Sequence, residues 1–517
     1  IQNCETISDV AAALSAGINA MQESVDRVSQ YQPDTGIPSD QIWDGTTETK
    51  PSGQGTKASP YQITNGSELA WFSSQVNAGK TQLSAVITKD IDLGGHIWTP
   101  IYQSASGNGY RGSFDGGNHI IHNMNADGDK DATTPTGLFG YIGTNGTVQN
   151  VKVAGTVTSA NKNGAGAIAG TSSGIIYNCV SSVYMRGNNA SNPPWYLGGI
   201  AGIQNGGIID SCENYSRIEY NSYIQYVGGI AGNSTNKGMI RYCTNYGDVI
   251  IQFSGGTGSG TYIGGILGAS DGEAYIRECA NYGTVIGGSH VGGIMGAAIA
   301  TKFRGKLNVS VDYVVNYGSV YGDAGVNQYF GGTGGIIGLA GRESVGSQYY
   351  TSTKVSVSHA YNEGTIQTLE SVGGEIKTDP TGKRCGALIG NWLGGTVTES
   401  QSSSDKNRLW GYADAEETIA ENAVKVDAVS IYSSTKDSGA AGMDKVTASA
   451  QLLAKLKKSD DAVYGEQYVV YNQVVFCYLR KIEAATSSEE IQQVLAEFDL
   501  ELQQVPTALA SAQYQLK

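Results

Sequence analysis

Three aspartates come first, because paired carboxylates are the groups that hydrolyse a glycosidic bond. Asp90, Asp92 and Asp115 are the candidates. A glycosidase needs two facing carboxylates, about 5 to 9.5 Å apart. Asp115 stands directly before Gly116, and aspartate in such a position is typical of turns. Without a diagnostic motif around these residues, we predict structural roles for all three and no catalytic residue.

The run Gly255–Gly260 is a second candidate for chemistry. It resembles a glycine-rich calcium repeat but lacks the required Asp, and it resembles a phosphate loop without the following Lys. No serine stands in a nucleophile-elbow motif at a strand-to-helix turn. We therefore expect a glycine-rich insertion here, with no cofactor and no assigned metal site, and leave calcium binding elsewhere open.

Aromatic side chains give the strongest functional signal. The chain has 31 tyrosines, and tyrosine and tryptophan are enriched on recognition surfaces. The predicted ligand-binding residues lie between repeated phrases, in apparent insertions: Tyr184, Trp195, Tyr196, Tyr220, Tyr223, Tyr226, Tyr329 and Phe330. The alternative is that these rings cover strand faces or stack in a ladder, as we expect for Tyr215, Tyr246, Tyr282 and Tyr317. The sequence leaves both interpretations open.

A short glycine phrase recurs along the chain and indicates a repeat architecture. Its copies are Gly166-Ala-Ile-Ala-Gly170, Gly198-Gly-Ile-Ala-Gly202, Gly228–Gly232, Gly264-Gly-Ile-Leu-Gly268, Gly292-Gly-Ile-Met-Gly296, Gly334-Gly-Ile-Ile-Gly338 and Gly386-Ala-Leu-Ile-Gly390. Successive copies begin 32, 30, 36, 28, 42 and 52 residues apart. The shortest intervals are nearly equal and the others are longer by variable amounts. This pattern predicts stacked coils of similar length, with insertions that project from one side of the stack.

A second phrase follows the glycine phrase in most repeats. Its first slot holds Cys212, Cys243, Cys279, Val314 and Ala360 in successive copies. Because Val and Ala also fill this slot, we predict a buried column with reduced thiols rather than a metal site. Two positions later stands an Asn that we expect to form an inward hydrogen-bonded ladder. Stacked coils bury an apolar side that one coil alone leaves exposed, so the repeats predict an all-β fold, a right-handed parallel β-helix.

Composition narrows the classes of function. The net charge of −14 argues against nucleic acid as a partner. No run of 18 apolar residues occurs, so we expect no membrane insertion. The 72 glycines against 10 prolines, with 15% charged residues, fit short strands joined by tight turns better than a disordered chain.

The two ends differ from the repeats. Helical periodicity predicts short α-helical segments at both ends, with one apolar stripe through Val10 and Leu14 and another through Ile491, Leu495 and Phe498. We therefore expect a helical linker-like segment over 1–30, a β-solenoid over 31–480, and a helical segment over 481–517. Within the solenoid, 31–60 would be a lead-in and 411–480 a closing segment.

The repeats resemble the GLUG repeats of bacterial surface proteins, which also occur upstream of the protease domain of IgA-cleaving metallopeptidases. The matching phrases include Trp43-Asp-Gly45, Pro60-Tyr-Gln-Ile63, Asp90-Ile-Asp-Leu93, Gly112-Ser-Phe-Asp-Gly116 and Gly137-Leu-Phe-Gly140. The resemblance covers roughly residues 41 to 400 and implies a β-helix exposed outside a gut-type bacterium. The protease motif His-Glu-x-x-His is missing from this sequence, so no protease chemistry carries over.

These observations favour a non-catalytic binding module of a bacterial cell-surface adhesin. The expected partner is a host extracellular protein, such as an immunoglobulin or a mucin, or a glycan. We expect the chain to be an extracellular piece of a larger secreted protein. Two alternatives remain: a polysaccharide-degrading enzyme that uses the β-helix cleft, and a passive stalk that holds a distal domain away from the cell wall.

Overall fold

A computed structural model gives the architecture of most of the repeat region. It describes residues 35–128, 134–159, 163–187, 195–220, 224–251, 262–301, 308–323, 331–345, 348–350, 354–372, 375–378, 385–392, 396–398, 400–402, 452, 478, 481–482, 485, 487 and 489–501. The chain divides into two compact units, one made of Ile1–Gly36 with Ser438–Lys517 and one made of Ile37–Asp437.

Within the larger unit, each repeat forms one coil that passes through three sheets. In a representative coil, Tyr196–Gly198 lies in the third sheet and Ala201–Asn205 in the second. The same coil then contributes Ile208–Asp210, Glu213–Asn214 and Arg217–Tyr220 to the first sheet. Each of these strands pairs in parallel with its counterpart in the next coil.

The first sheet contains 24 strands among the described residues. They are Tyr61–Ile63, Ala85–Ile87, Ile91–Asp92, Ser113–Asp115, Ile120–Asp127, Thr147–Gln149, Lys152–Ser159, Ile175–Tyr177, Val180–Gly187, Ile208–Asp210, Glu213–Asn214, Arg217–Tyr220, Gly238–Arg241, Thr244–Asn245, Val249–Ile251, Ala274–Asn281, Val285–Ile286, Asn308–Asn316, Val320–Asp323, Lys354–Asn362, Ile366–Val372, Glu375–Thr378, Thr396–Thr398 and Gln401–Ser402.

The other two sheets have nine and seven strands in the described part of the chain. The second sheet consists of Phe139–Ile142, Ala169–Ser172, Ala201–Asn205, Ala231–Thr235, Leu267–Asp271, Met295–Thr301, Ile337–Val345, Gln348–Tyr350 and Ile389–Trp392. The third consists of Ala165–Gly166, Tyr196–Gly198, Tyr226–Gly228, Tyr262–Gly264, His290–Gly292, Gly332–Gly334 and Cys385–Gly386.

Parallel pairing between successive coils defines the fold as a parallel β-solenoid, which confirms the predicted fold class. The antiparallel strand pairs in the described residues are local hairpins. One joins Ile337–Val345 to Gln348–Tyr350, and the other joins Ile366–Val372 to Glu375–Thr378. The right-handed sense of the coil stays a prediction, in keeping with the strong preference of parallel crossovers.

The interior is built from columns of identical or similar side chains. The isoleucine of the glycine phrase is fully buried in each copy where it is present, and the column is Ile168, Ile200, Ile230, Ile266, Ile294, Ile336 and Leu388. The predicted cysteine slot is likewise buried at Cys212, Cys243, Cys279, Val314 and Ala360, and Cys179 extends it by one coil. Burying such columns against one another is what makes each coil depend on its neighbours.

The asparagine column is hydrogen-bonded along the solenoid as predicted. Asn214 Nδ2 donates to Asn245 Oδ1 at 2.7 Å, and Asn245 Nδ2 donates to Asn281 Oδ1 at 2.7 Å. The chain of amides continues through Asn316 to Asn362 at 2.8 Å per step. All five residues are fully buried, so the column satisfies polar groups that would otherwise be costly inside the core.

The glycine phrase owes its second glycine to this asparagine column. A Cβ on Gly229 would overlap the carbonyl oxygen of Gly265 in the next coil and the side-chain amide of Asn245. A Cβ on Gly265 would meet Gly293 O and Asn281 in the same way. The glycine is thus required for close packing of the backbone against the amides rather than for an unusual φ.

One helix covers the first coils. The helix α1, Gly66–Asn77, begins after Asn65, whose side chain accepts a hydrogen bond from Glu68 N at 3.0 Å. The Glu68 carboxylate accepts from Thr64 N, one residue before the N-cap, at 2.6 Å, so the two contacts together fix the start of the helix. The helix buries Leu69 and Phe72 against strands that would otherwise present an uncovered end. A short 3-10 turn, Ser39–Gln41, precedes it.

In the smaller unit, residues 489–501 are helical. Ser487 Oγ accepts from Glu490 N at 3.2 Å, and Ile491 and Phe498 are buried. These features agree with the predicted stripe, whereas the helical segment predicted over 1–30 lies outside the described residues. The domain boundaries drawn from the sequence stay predictions. Among the described residues, no helix has the length and apolarity needed to cross a bilayer.

Candidate functional site

The structure arranges many aromatic residues in two stacked ladders, whose members are half-buried except for the buried residues Tyr215 and His290. The tyrosine ladder consists of Tyr215, Tyr246, Tyr282 and Tyr317, each of which follows one of the first four asparagines of the column. Its ring centroids lie 4.6, 5.2 and 4.7 Å apart, with interplanar angles of 11° to 18°. This confirms the ladder expected for these four residues.

A second ladder lies on the outer side of the third sheet. This corner ladder consists of Tyr196, Tyr226, Tyr262 and His290, whose ring centroids are 4.9, 5.2 and 4.8 Å apart. Trp195 meets Tyr196 edge-on at 6.2 Å. Each member stands two residues before the first glycine of its phrase, and this fixed offset is the sequence signal that would have added Tyr262 and His290 to the candidates.

The variable segments of the repeats join the solenoid next to the corner ladder. Segments 188–195, 221–225 and 252–261 each connect a strand of the first sheet to a strand of the third sheet that begins with a ladder tyrosine. The insertions predicted from the repeat intervals therefore fall mainly at one corner. Two further variable segments, 302–307 and 351–353, instead precede strands of the first sheet.

The structure brings together only part of the predicted ligand-binding set. Trp195, Tyr196 and Tyr226 meet at the corner ladder. Tyr184 lies apart from them, on the strand Val180–Gly187, where its hydroxyl donates to Glu219 Oε2 at 3.2 Å. The predicted residues Tyr223, Tyr329 and Phe330 lie outside the described residues.

Tyr220 requires a correction. We predicted it as a surface residue of an insertion, but it ends the strand Arg217–Tyr220 and only 1% of it is exposed. Along this strand, alternate residues point to opposite faces, and Ile218 and Tyr220 both point into the core. Tyr220 is therefore a packing residue.

Stacking limits how the corner ladder can bind a ligand. Tyr226 lies between Tyr196 and Tyr262 at near-parallel angles of 19° and 27°, so both faces of its ring are covered by neighbouring rings. What such a ring presents to a ligand is its edge and its hydroxyl group. The ladder is thus suited to hydrogen bonding and edge contacts rather than to stacking on a sugar ring.

The three candidate aspartates hold turns and neighbouring coils. Asp90 Oδ1 accepts from Ile120 N at 2.9 Å and lies 3.2 Å from His119 Nδ1. Asp92 is buried, and its Oδ1 accepts from Gly94 N at 2.8 Å. Asp115 accepts from Gly117 N at 2.9 Å. These contacts fit the structural roles that the sequence predicted.

A buried histidine lies beside these aspartates. His122 pairs in register with Asp92 and is 6% exposed. Burial lowers the pKa of His122 to about 4, against the partly offsetting charge of Asp92. The imidazole is therefore neutral at pH 7.

The stacked cysteines are shielded from solvent by burial in the folded state. The described cysteines Cys179, Cys212, Cys243, Cys279 and Cys385 are free and buried. Burial raises the pKa of the Cys179 and Cys243 thiols, which keeps them protonated and weakly nucleophilic. Within the part of the chain that the structure describes, no group of three or more His, Cys, Asp or Glu side chains is placed to hold a metal ion.

A strained corner precedes the cysteine slot in seven successive coils, and it was not predicted. The residue at this corner has a left-handed backbone with φ between 49° and 55°, and the column is Asn150, Asn178, Ser211, Tyr242, Glu278, Tyr313 and His359. Left-handed conformations are unfavourable for such residues as Tyr, Glu and His. At the last two positions, the rings of Tyr313 and His359 stack at 4.1 Å.

The chain is similar to parts of two known proteins. No family model matches the chain. Halomucin of Haloquadratum walsbyi is 32% identical over 158 residues, which is 28% of this chain and 2% of halomucin. A solved Bacteroides ovatus structure, described as that of "a putative immunoglobulin A1 protease", shares 20% identity and covers 72% of this chain and 91% of its own. Its TM-score is 0.41. The resemblance to GLUG repeats accordingly stays a prediction.

Proposed function

We propose that the chain is a non-catalytic binding module of a bacterial cell-surface protein, and that its recognition surface lies at the corner ladder with its adjoining variable segments. The observation that carries this proposal is the contact of Trp195 with Tyr196 and of Tyr196 with Tyr226, at strands that each follow a connection from the first sheet to the third. Loops on a rigid scaffold are where binding commonly resides, and tyrosine and tryptophan supply contact area at low entropic cost.

The proposed partner is a host extracellular protein, such as an immunoglobulin or a mucin, or a glycan. The parallel coils form a scaffold on which an aromatic ring recurs at this position in four successive coils, as Tyr196, Tyr226, Tyr262 and His290. The halomucin similarity is compatible with an extracellular setting, and the excess of negative charge keeps nucleic acid out of consideration.

Binding to immobilised immunoglobulin A, to purified mucin and to a glycan array tests this proposal. Trp195→Ala together with Tyr226→Ala is expected to weaken binding at least tenfold, because two aromatic contacts are removed from one surface. Tyr246→Phe, in the tyrosine ladder, serves as the matched control and should bind like the unaltered protein. Equal binding by all variants contradicts the site, and no binding to any of the three probes favours the stalk alternative.

Breakdown of polysaccharide would instead favour the enzyme alternative. Asp92→Asn and Asp115→Asn are the variants for that case, since both carboxylates were the candidates for acid and base. We expect neither variant to alter any binding detected above, because both side chains hold turns at a distance from the ladder in sequence.

A further inference from the structure

One outward face of the first sheet carries an apolar column that is exposed at Ile175 and half-buried in the following three coils. The strand Ile175–Tyr177 exposes both of its outward side chains, Ile175 at 39% and Tyr177 at 41%. In register with Ile175, the next three coils place Ile208, Met239 and Tyr275 on the same face. These four residues form the apolar column. Thr147 precedes it, and Ser310 follows it.

A second column runs beside the first, two residues further along each strand. This charged column consists of Tyr177, Asp210, Arg241 and Arg277, with Gln149 before it and Asp312 after it. Arg241 Nε lies 2.7 Å from Asp210 Oδ2 in the neighbouring coil, and 41% of the arginine side chain but only 10% of the aspartate side chain is exposed. The Arg277 side chain is 59% exposed.

In both columns, residues at equal distances on either side of one point are complementary. This point lies between the strands Ile208–Asp210 and Gly238–Arg241. Counting outward from that point, the apolar column gives Ile208 and Met239, then Ile175 and Tyr275. The charged column gives Asp210 and Arg241, then Tyr177 and Arg277. Every pair is complementary: apolar with apolar, acid with base, and aromatic ring with guanidinium.

We propose that this face docks a second copy of the chain about a two-fold axis that runs along the strands between these two coils. Such an axis lays the faces against each other with the two solenoids antiparallel, so that each column meets itself in reverse order. Asp210 then faces the arginine at position 241 of the other copy, and Arg277 faces the ring at position 177. The pairing continues outward with Gln149 opposite Asp312.

The chemistry of the face favours a second copy over other occupants. A glycan offers no apolar side chains to match Ile175 and Ile208, and nucleic acid is repelled by the net charge of −14. A two-fold axis along the solenoid instead would bring the apolar columns together but leave the charged columns apart. Only the antiparallel arrangement uses both columns.

The size of the face predicts a weak dimer. Coils stack about 4.8 Å apart, so the eight strands from Ser113–Asp115 to Lys354–Asn362 span roughly 38 Å. With three residues of each strand in contact, the face covers about 400 Å², roughly half of what a stable interface buries on one partner. Association is therefore expected in the micromolar range or weaker.

Sedimentation velocity of the full chain, from micromolar to millimolar concentration, tests the proposal. The unaltered protein is expected to shift reversibly from monomer to dimer. Arg241→Asp should weaken the dimer at least tenfold, because two pairs of carboxylates then face each other across the axis. The swapped variant Asp210→Arg with Arg241→Asp should restore it, since both the internal ion pair and the pairs between copies are regained.

Lys89→Asp provides the matched control, with the same change of charge at an exposed position outside the face, and should leave the dimer unchanged. Urea unfolding of each variant separates loss of association from loss of folding. A monomer at every concentration overturns the proposal. A dimer that Arg241→Asp leaves intact, or that the swapped variant fails to restore, also overturns it.

Discussion

At the scale of single residues, the buried asparagine column determines the register between successive coils. Asn245 accepts from Asn214, donates to Asn281 and donates to Gly247 O at 2.8 Å. Each amide therefore fixes the position of its own coil in register with the coils on either side. A polar column inside an apolar core stabilises one register only, because a shift of one residue would leave its donors and acceptors unpaired.

Asn245→Ala is expected to destabilise the solenoid by about 3 kcal/mol, since it leaves an amide donor of Asn214 and the carbonyl oxygen of Asn281 unpaired in the core. The free energy of unfolding in urea is the measurement. Tyr246→Phe, at the next residue, serves as a control with a change below about 0.5 kcal/mol. An alanine variant as stable as the control would contradict the role of the column.

Gly229→Ala tests the close packing against that column. The added methyl group would overlap Gly265 O and the Asn245 amide, so we expect a loss of about 3 kcal/mol or more from overpacking. Gly79→Ala is the informative comparison, because no atom lies within 4 Å of its Cβ position and its φ is 96°. That variant should lose only about 1 kcal/mol, from backbone strain. Similar losses at the two sites would refute the packing explanation.

His122 makes stability depend on pH. Its pKa falls from 6.5 to about 4 on folding, so between these values the unfolded chain binds a proton that the folded chain does not. Stability is therefore complete above pH 6.5 and declines as pH falls towards 4, by about 3 kcal/mol in total. His122→Gln should flatten this part of the curve of unfolding free energy against pH. An unchanged slope in His122→Gln would count against this account.

At the scale of elements, the same column position accepts different residues in different coils, provided that each side chain fits the available space. The cysteine slot pairs Cys279 with Val314 and Val314 with Ala360 in register. The slot thus selects for small volume and low polarity rather than for sulfur. The aromatic ladders form for the same reason: Tyr282 and Tyr317 stack because parallel strands in register align equivalent side chains.

Cys243→Val is expected to change the free energy of unfolding by less than about 1.5 kcal/mol, because valine already occupies the slot at Val314. Cys243→Asp should prevent stable folding, since it buries a carboxylate among apolar side chains. Urea unfolding distinguishes the two. In the folded protein Cys243 should also resist thiol reagents, and rapid labelling would contradict its burial.

At the scale of the whole molecule, the solenoid behaves as a stack in which each coil touches only its neighbours. Deleting residues 229–264 removes one full coil and joins Gly228 to Gly265, because Gly228 and Gly264 are register partners. Asn214 would then meet Asn281, and the columns would remain continuous. We expect this variant to fold cooperatively with an unchanged far-ultraviolet circular dichroism spectrum per residue.

Deletion of residues 229–246 is the matched control for this experiment. It removes about half a coil, which places strands of different sheets opposite one another and breaks every column. We expect an unfolded or aggregated product. If both deletions fold, or neither does, the coil is not the unit of the fold.

The sequence by itself determined the repeat, the cysteine slot, the asparagine column and the parallel stacking. These features can be predicted because equivalent positions recur in successive coils. A single sequence therefore shows several times which residues a given position accepts. The helix α1 was not predicted, because the repeat pattern indicated only strands in this part of the chain, although the capping residues Asn65 and Glu68 that begin it lie close together in the sequence.

Tertiary structure alone decided which side of each strand faced the core and where each coil turned. Tyr220 points inward and Tyr226 outward although both border the same variable segment, because strand alternation from the buried columns sets their direction. The left-handed corner at Tyr242, Glu278 and His359 is disfavoured by their own preferences. It is imposed by the neighbouring coils, because parallel pairing in register requires every coil to bend at the equivalent residue. The free energy gained by keeping all columns in register exceeds the local backbone strain.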